Sequence, residues 1–264
     1  FRLGDFYEMF FDDAKVASKE LDLVLTGRDC GQEERAPMCG VPFHSADSYI
    51  AKLVSRGYKV AICEQMEDPA AAKGIVKRDV IRVITPGTVI ESNILEDGTN
   101  NYLCSICKGA NETGICFADV STGEFHITVV GREDEQEKII NQLSTYSPKE
   151  IITNSAASGL DKVEKFADNR FSVSFEKVDD SKFDFDYATN LILETMKRDE
   201  ISSLNLGHSK AAVCALGAVI DYLRETQKRD DIEAPSEIEY YDGSDFMALD
   251  VCLLYTSPSP RDYA

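Results

Sequence analysis

The chain has 264 residues, enough for one or two domains that each bury their own core. Its hydrophobic content of 43% fits a globular protein, and no apolar run approaches the roughly 18 residues of a membrane-spanning helix. The net charge of −19 argues against a protein that binds nucleic acid through a uniformly basic surface.

The acidic residues are concentrated in the second part of the chain. Residues 1–97 carry 12 Lys and Arg against 17 Asp and Glu, a net charge of −5, and the remainder carries −14. Affinity for duplex DNA comes largely from neutralising phosphates. The second part is therefore a poor candidate for contact with DNA, and the first part is too weakly charged to hold DNA tightly alone.

The first 90 residues alternate strand and helix patterns. Apolar residues at helical spacing follow Asp12 and recur after Ser45, and β-branched runs mark strands. In chain order we predict a strand at 1–10, a helix at 12–25, a loop at 26–34, a turn at 40–42, a helix between Ser45 and Gly57, and strands at 58–64 and 80–85. The pattern indicates an α/β module with a small mixed sheet.

Polar residues 91–100 form a predicted linker to a second module. Three strand patterns at 102–107, 114–120 and 124–130 indicate a meander, with a tight turn at Thr122–Gly123. A helix around Ile139–Leu143, a strand at 150–153 and helices at 187–196 and 211–223 are predicted to follow.

The number and distribution of the cysteines indicate a protein of a reducing compartment. Seven of the eight are scattered among apolar residues, which suits free thiols in a cytoplasm. Cys104 and Cys107 have the spacing of a redox or metal motif, but there is no second pair and no nearby His. We predict buried strand cysteines and no metal site.

The stretch Gly4–Glu8 places an aromatic ring beside a carboxylate. Residues two apart in a strand point to the same side, so Phe6 and Glu8 share a face and Tyr7 turns away. On an exposed face the ring can enter a base stack, and the carboxylate can accept a hydrogen bond from a base edge. These residues alone leave an alternative open, in which Phe6 packs in the core and Glu8 is a solvated strand residue.

The run from Phe1 to Phe10 resembles the mismatch-recognition segment of the MutS family. Further blocks match in order, among them Pro37-Met38-Cys39-Gly40-Val41-Pro42-Phe43-His44, Val60-Ala61-Ile62-Cys63-Glu64-Gln65 and Thr85-Pro86-Gly87-Thr88. The resemblance is dense over residues 1–90 and looser to about 251. It implies five segments: a mismatch-recognition domain at 1–90, a linker at 91–100, an RNase H-like connector domain at 101–231, the start of a core domain at 232–251 and a non-native tail at 252–264.

The resemblance also implies roles for individual residues. Phe6 corresponds to the wedge that stacks on a mispaired base, and Glu8 to the carboxylate that contacts the base. Leu3 stands where the family carries an apolar residue near the wedge, with simple core packing as the alternative. Four basic residues are candidate phosphate contacts or solvated surface residues: Arg28, Lys77, Arg78 and Arg82.

The resemblance implies cofactors and partners for a longer parent protein. Relatives are ATP-driven clamps that use ATP and Mg, act as homodimers on mismatched duplex DNA, and engage MutL through the connector. This sequence contains no G-x-x-x-x-G-K-[ST] motif, so we expect neither ATPase activity nor a cofactor here. Two alternatives remain: a connector that acts only as a protein-interaction module, and an RNase H-like nuclease built on residues 100–230. Its one suggestive strand carboxylate, Asp119, lacks convincing partner carboxylates.

The C-terminal tail of the sequence looks non-native, and its N-terminus looks truncated. The run from Cys252 to Asp262 does not resemble the family and looks like a translated sequencing adapter. The chain opens at Phe1, inside a motif, so we expect a fragment of a bacterial cytoplasmic, nucleoid-associated protein.

Overall fold

The structure is a computed structural model that describes residues 1–31, 34–67, 74, 76–90, 95, 99–173, 175–206, 209–229 and 234–241. It confirms the α/β class. The chain divides into two compact units, Phe1–Asn101 with the end of the last helix from Tyr222, and Tyr102–Asp221 with a short C-terminal strand. No helix within these described ranges is long and apolar enough to cross a membrane. The tail at 252–264 lies outside the described residues.

The first unit contains six strands and two helices among its described residues. They are β1 (Arg2–Leu3), β2 (Phe6–Phe10), α1 (Phe11–Leu21), β3 (Thr26–Arg28), β4 (Ala36–Pro42), α2 (Ala46–Val54), β5 (Val60–Gln65) and β6 (Arg78–Ile84).

The N-terminal segment is a hairpin, where we predicted one strand over residues 1–10. Leu3 pairs with Phe6 across a two-residue turn, and Gly4 takes a φ of +59° at its first position. Such a turn matches the twist of antiparallel strands and favours glycine there. The turn therefore presents Phe6 at the start of β2.

The predicted turn at residues 40–42 is wrong, because these residues end strand β4. Gly40 lies opposite Glu8 of β2, and an ideal Cβ on Gly40 would lie 3.2 Å from the Tyr7 carbonyl oxygen. The glycine thus permits close approach within a sheet. Pro42 is the last residue of β4, where a missing N–H is tolerated. The predicted loop at 26–34 likewise contains β3.

The strands of the first unit form two antiparallel sheets, where we expected one mixed sheet. One has the order β1-β2-β4-β3, and the other pairs β5 with β6. Strands β2 and β3 run in the same direction, but β4 lies between them, so each neighbouring pair is antiparallel.

The two helices of the first unit bury the stripes that the sequence predicts. Ala14, Ala17 and Leu21 of α1 are buried, as are Ile50 and Val54 of α2. The predicted continuation of α1 to residue 25 is wrong, because Asp22 takes a left-handed conformation that ends the helix, which leaves Val24 exposed.

The second unit contains six strands and four helices among its described residues. They are β7 (Tyr102–Lys108), β8 (Glu112–Asp119), β9 (Glu124–Gly131), α3 (Glu135–Tyr146), β10 (Glu150–Thr153), α4 (Asp161–Phe171), β11 (Phe175–Lys177), α5 (Phe185–Met196), α6 (Lys210–Gln227) and β12 (Glu237–Tyr240).

One six-stranded sheet organises the second unit, in the order β11-β10-β7-β8-β9-β12. Strands β7, β8 and β9 form the predicted antiparallel meander, and β10 and β11 run parallel to β7. This arrangement of three antiparallel strands extended by parallel strands is the RNase H-like fold that the resemblance implies. Gly123 takes a φ of +76° between β8 and β9, at the predicted turn.

Strand β12 lies where we expected the start of a further domain, from residue 232. It pairs in parallel with β9, from Glu237 opposite Glu124 to Tyr240 opposite Ile127. Residues 242–251 of that expected domain lie outside the described part of the chain. Residues Glu237–Tyr240 therefore extend the sheet of the second unit.

Candidate nucleic-acid interface

Strand β2 presents its alternate side chains to opposite faces. Tyr7 and Met9 pack into the core with α1 and α2. Phe6, Glu8 and Phe10 point to the other face, where Phe6 remains 46% exposed. The arrangement places the ring and the carboxylate side by side on an outer face of the sheet, as the alternation predicts.

The neighbours of β2 make this outer face largely apolar. Leu3 lies opposite Phe6 in β1 and is half-buried, and Met38 and Pro42 of β4 pair with Phe10 and Phe6. Residues directly opposite in antiparallel strands share a face. Contiguous apolar surface rimmed by polar residues is typical of interaction sites.

The carboxylate of Glu8 is paired with a guanidinium from the far edge of the sheet. Arg28 Nη1 lies 2.7 Å from Glu8 Oε2, and the Arg28 Cζ atom lies 5.9 Å from the centre of the Phe10 ring. The Glu8 side chain is 18% exposed and that of Arg28 49%. The only acidic side chain of β2 therefore has a compensating charge at the edge of the apolar face.

The inner face of β2 is fastened to the second sheet. The Tyr7 hydroxyl donates a hydrogen bond to Glu64 Oε1 of β5. Burial of the phenol and the neighbouring Glu64 carboxylate together raise the pKa of Tyr7 to about 12, although Arg2 opposes the shift. This bond fixes the residue between Phe6 and Glu8.

Strand β1 is fastened to the same sheet. The Arg2 carbonyl oxygen accepts hydrogen bonds from Arg78 Nε at 3.2 Å and Gln65 Nε2 at 3.4 Å. The Arg2 guanidinium carbon lies 3.7 Å from the centre of the Phe43 ring. Both strands of the hairpin that carries Phe6 are thus held from β5 and β6.

The structure places one of the four predicted phosphate contacts beside Glu8 and the other three within or directly before β6. Arg28 lies beside Glu8, and Arg78 is engaged with backbone carbonyls. Arg82 is half-buried within β6, and Lys77 is exposed just before that strand. Their roles toward phosphate stay predictions.

Sequence reasoning missed three contributors to this face. Phe10 follows from the same alternation that places Phe6 and Glu8 together. The pairing of Arg28 with Glu8 and the close packing at Gly40 depend on the strand order β2-β4-β3, and no short-range pattern in the sequence encodes that order.

Asp119 and the cysteines of the second unit lie within its fold. Asp119 is buried, and its Oδ1 accepts hydrogen bonds from the backbone N–H of Ser121 at 2.9 Å and from its hydroxyl at 2.6 Å. This is the geometry of a turn residue. Cys104 and Cys107 are buried, as predicted, and burial raises the pKa of Cys104. Within the described residues, no group of three His, Cys, Asp or Glu side chains could hold a metal ion.

Comparison with known proteins identifies the family to which the chain belongs. The family models for MutS domain I and MutS domain II match residues 1–93 and 101–236. The chain is 47% identical over 251 residues to the DNA mismatch repair protein MutS of Acetivibrio thermocellus, covering 95% of this chain and 28% of that protein. It is 47% identical to the MutS of Ruminiclostridium cellulolyticum over 86% of this chain and 26% of that protein. It is 45% identical to the MutS of Halothermothrix orenii, over 97% of this chain and 28% of that protein. The chain thus spans little more than a quarter of the length of these relatives, and it belongs to the MutS family.

Proposed function

We propose that this chain recognises mismatched or unpaired bases in duplex DNA for mismatch repair, with Phe6 as the stacking wedge and Glu8 as the hydrogen-bonding partner. The observation that carries the proposal is the placement of the two side chains side by side on the exposed outer face of β2. The names of the relatives support the repair process.

A wedge distinguishes mismatched from matched DNA by how easily the duplex deforms. An apolar side chain that inserts at a base step unstacks it and kinks the duplex, which costs a few kcal/mol. Bending a site smoothly costs about 1–6 kcal/mol. A mismatch or small loop has already lost part of its pairing, so it deforms at a lower cost than matched DNA. Phe6 therefore discriminates with little reading of sequence.

Glu8 supplies a directional contact beside the wedge. Its Oε2 is paired with Arg28, and in the part of the chain that the structure describes its Oε1 has no hydrogen-bond partner. An unstacked base can donate a hydrogen bond to this oxygen. A hydrogen bond to a charged group contributes about 1.5–3 kcal/mol.

Further proposals concern phosphate contacts, partners and cofactors. Lys77, Arg78 and Arg82 are proposed as phosphate contacts, and Leu3 as an apolar neighbour of the wedge. MutL as partner of the second unit, and a homodimer that uses ATP and Mg, are proposals for a full-length parent. The sequence of this chain contains no G-x-x-x-x-G-K-[ST] motif, so the nucleotide site is proposed for the full-length parent alone.

The test is binding at low salt to a duplex with one G·T mismatch and to its matched control. Stacking of a base on an aromatic ring contributes about 1–3 kcal/mol, so we expect Phe6→Ala to reduce the preference for the mismatch by about tenfold. Phe11→Ala is the matched control, since Phe11 is 61% exposed and begins α1, outside β2. We expect it to leave the preference unchanged.

Two outcomes would contradict the proposal. One is equal binding to the two duplexes that Phe6→Ala does not change. The other is an absence of binding to either duplex by the unsubstituted chain. Thermal melting of each variant shows whether it is folded.

A further inference from the structure

The pairing of Glu8 with Arg28 extends across the sheet. Strand β4 lies between β2 and β3, so the Arg28 side chain extends over β4 to reach the carboxylate. Its guanidinium passes near the Phe10 ring, with 5.9 Å between Cζ and the ring centre. Ion pairs are common between residues that are close in one strand or helix. This pair instead joins two strands that are not adjacent in the sheet.

Gly40 of β4 gives Glu8 the room to lean toward Arg28. Gly40 is directly opposite Glu8, and an ideal Cβ there would lie 3.4 Å from Glu8 Cγ. The carboxylate therefore lies over the one residue of β4 that has no side chain. A larger residue would meet both Glu8 and the Tyr7 carbonyl oxygen, 3.2 Å away.

The pair is a weak candidate for a stabilising element of the fold. Its guanidinium is about half exposed, and exposed ion pairs contribute little to stability. When a duplex covers this face, water is excluded and the same charges interact more strongly. An unpaired Glu8 would then face the phosphates as an uncompensated negative charge.

We propose that Arg28 is a positioning residue for mismatch discrimination. It holds Oε2 of Glu8 and leaves Oε1 directed to the base beside Phe6, and its main role is not to bind a phosphate. The inference rests on the proposed function of Phe6 and Glu8. It changes the role predicted for Arg28 from the sequence.

A double-mutant cycle tests this assignment, with the ratio of affinities for the G·T and matched duplexes as the readout. We expect Arg28→Gln to reduce the ratio about as much as Glu8→Gln, on the order of tenfold. The double variant should lose no more than either single variant, because both changes remove one shared interaction. Arg28→Lys should recover part of the ratio, since it restores the charge without the planar fork.

Lys77→Gln is the comparison variant, because we propose Lys77 as a phosphate contact with no role in discrimination. Loss of such a contact weakens binding to both duplexes equally and reduces the slope of log K against log salt by about one. If Arg28→Gln behaves in this way and leaves the affinity ratio unchanged, the assignment of Arg28 is overturned. Additive losses in the double variant would overturn it too.

The same experiment separates this inference from the proposed function. If Phe6→Ala and Glu8→Gln both reduce the ratio and Arg28→Gln does not, only the role of Arg28 fails. If neither Phe6→Ala nor Glu8→Gln changes the ratio, or the unsubstituted chain binds neither duplex, the proposed function fails and the inference with it.

Discussion

Tyr7 shows how a side chain on the inner face of a strand controls what the outer face presents. Its neighbours Phe6 and Glu8 point outward, and its hydroxyl donates to Glu64 of the second sheet. A hydrogen bond from the inner face of a strand to a second sheet limits rotation and slippage of that strand. Pre-organisation matters for the proposed wedge, because ordering a side chain on binding costs free energy and lowers the affinity.

We expect Tyr7→Phe to destabilise the protein by about 1 kcal/mol near pH 8, since it removes one hydrogen bond from a partly buried pair. The pKa of Tyr7 is raised to about 12 in the folded protein from an ordinary value near 10. A raised pKa means that the folded state favours the protonated phenol. Its contribution is therefore complete below about pH 10 and is lost as the pH rises through about 12.

Urea unfolding of both proteins from pH 8 to 12 measures this difference. Comparison with Tyr7→Phe is necessary because other tyrosines also have raised pKa values, among them Tyr58 and Tyr146. A difference between the two proteins that stays constant to pH 12 would show that the phenol and Glu64 are not coupled.

Single residues of this site differ in how far the sequence predicts them. The placement of Phe6 and Glu8 on one face follows from the period of two in a strand, and the structure agrees. The links from Tyr7 to Glu64 and from Glu8 to Arg28 join residues 57 and 20 positions apart. Contacts over such separations depend on strand order, which local patterns do not contain.

Close contact between α6 and the sheet of the second unit depends on Gly114. An ideal Cβ at this position of β8 would lie 2.1 Å from the Ala211 carbonyl oxygen and 2.7 Å from the Ala212 nitrogen. Both are backbone atoms, so no rotamer change can relieve the clash. Gly217 of α6 makes a similar contact, since a Cβ there would lie 2.4 Å from Cβ of Ala188 in α5.

We expect Gly114→Ala to destabilise the protein by about 3 kcal/mol or more, because α6 must move off the sheet. Gly131→Ala is the matched control in the neighbouring strand β9, since no atom lies within 4 Å of its ideal Cβ. Chemical denaturation of the two variants gives the comparison. Similar midpoints for both would mean that α6 does not pack on Gly114 as closely as the structure shows.

The predicted elements agree with the structure where the pattern is long and periodic. The meander β7–β9 and the helix from Lys210 to Gln227 are examples. Helix α4 was missed because only Val163 and Ala167 of its eleven residues are buried, which leaves a weak stripe. Strand β4 was missed because glycine and proline at its end resemble a turn, although Gly40 serves close packing.

Charge is unevenly distributed over the chain, and this limits the affinity for DNA that we propose. Residues 98–264 carry −14 of the total −19. This charge repels phosphates over the Debye length, which is about 30 Å at 0.01 M salt and about 8 Å at 0.15 M. Repulsion at this range does not distinguish matched from mismatched DNA. Under the proposed function, affinity for DNA and discrimination of mismatches therefore have separate physical origins.

Neutralising part of the acidic surface tests that separation. Glu133, Glu137, Asp168 and Asp199 of the second unit are all exposed. With Glu changed to Gln and Asp to Asn at these positions, we expect both duplexes to bind more tightly at 0.01 M salt, by a common factor on the order of threefold to tenfold. The gain should disappear near 0.15 M salt, and the ratio of the two affinities should stay constant throughout.

Fluorescence anisotropy over this salt range measures both quantities, with Phe6→Ala as the control that changes the ratio. A change of the ratio in the neutralised variant would mean that the acidic residues contribute to discrimination itself, because a long-range repulsion acts equally on both duplexes.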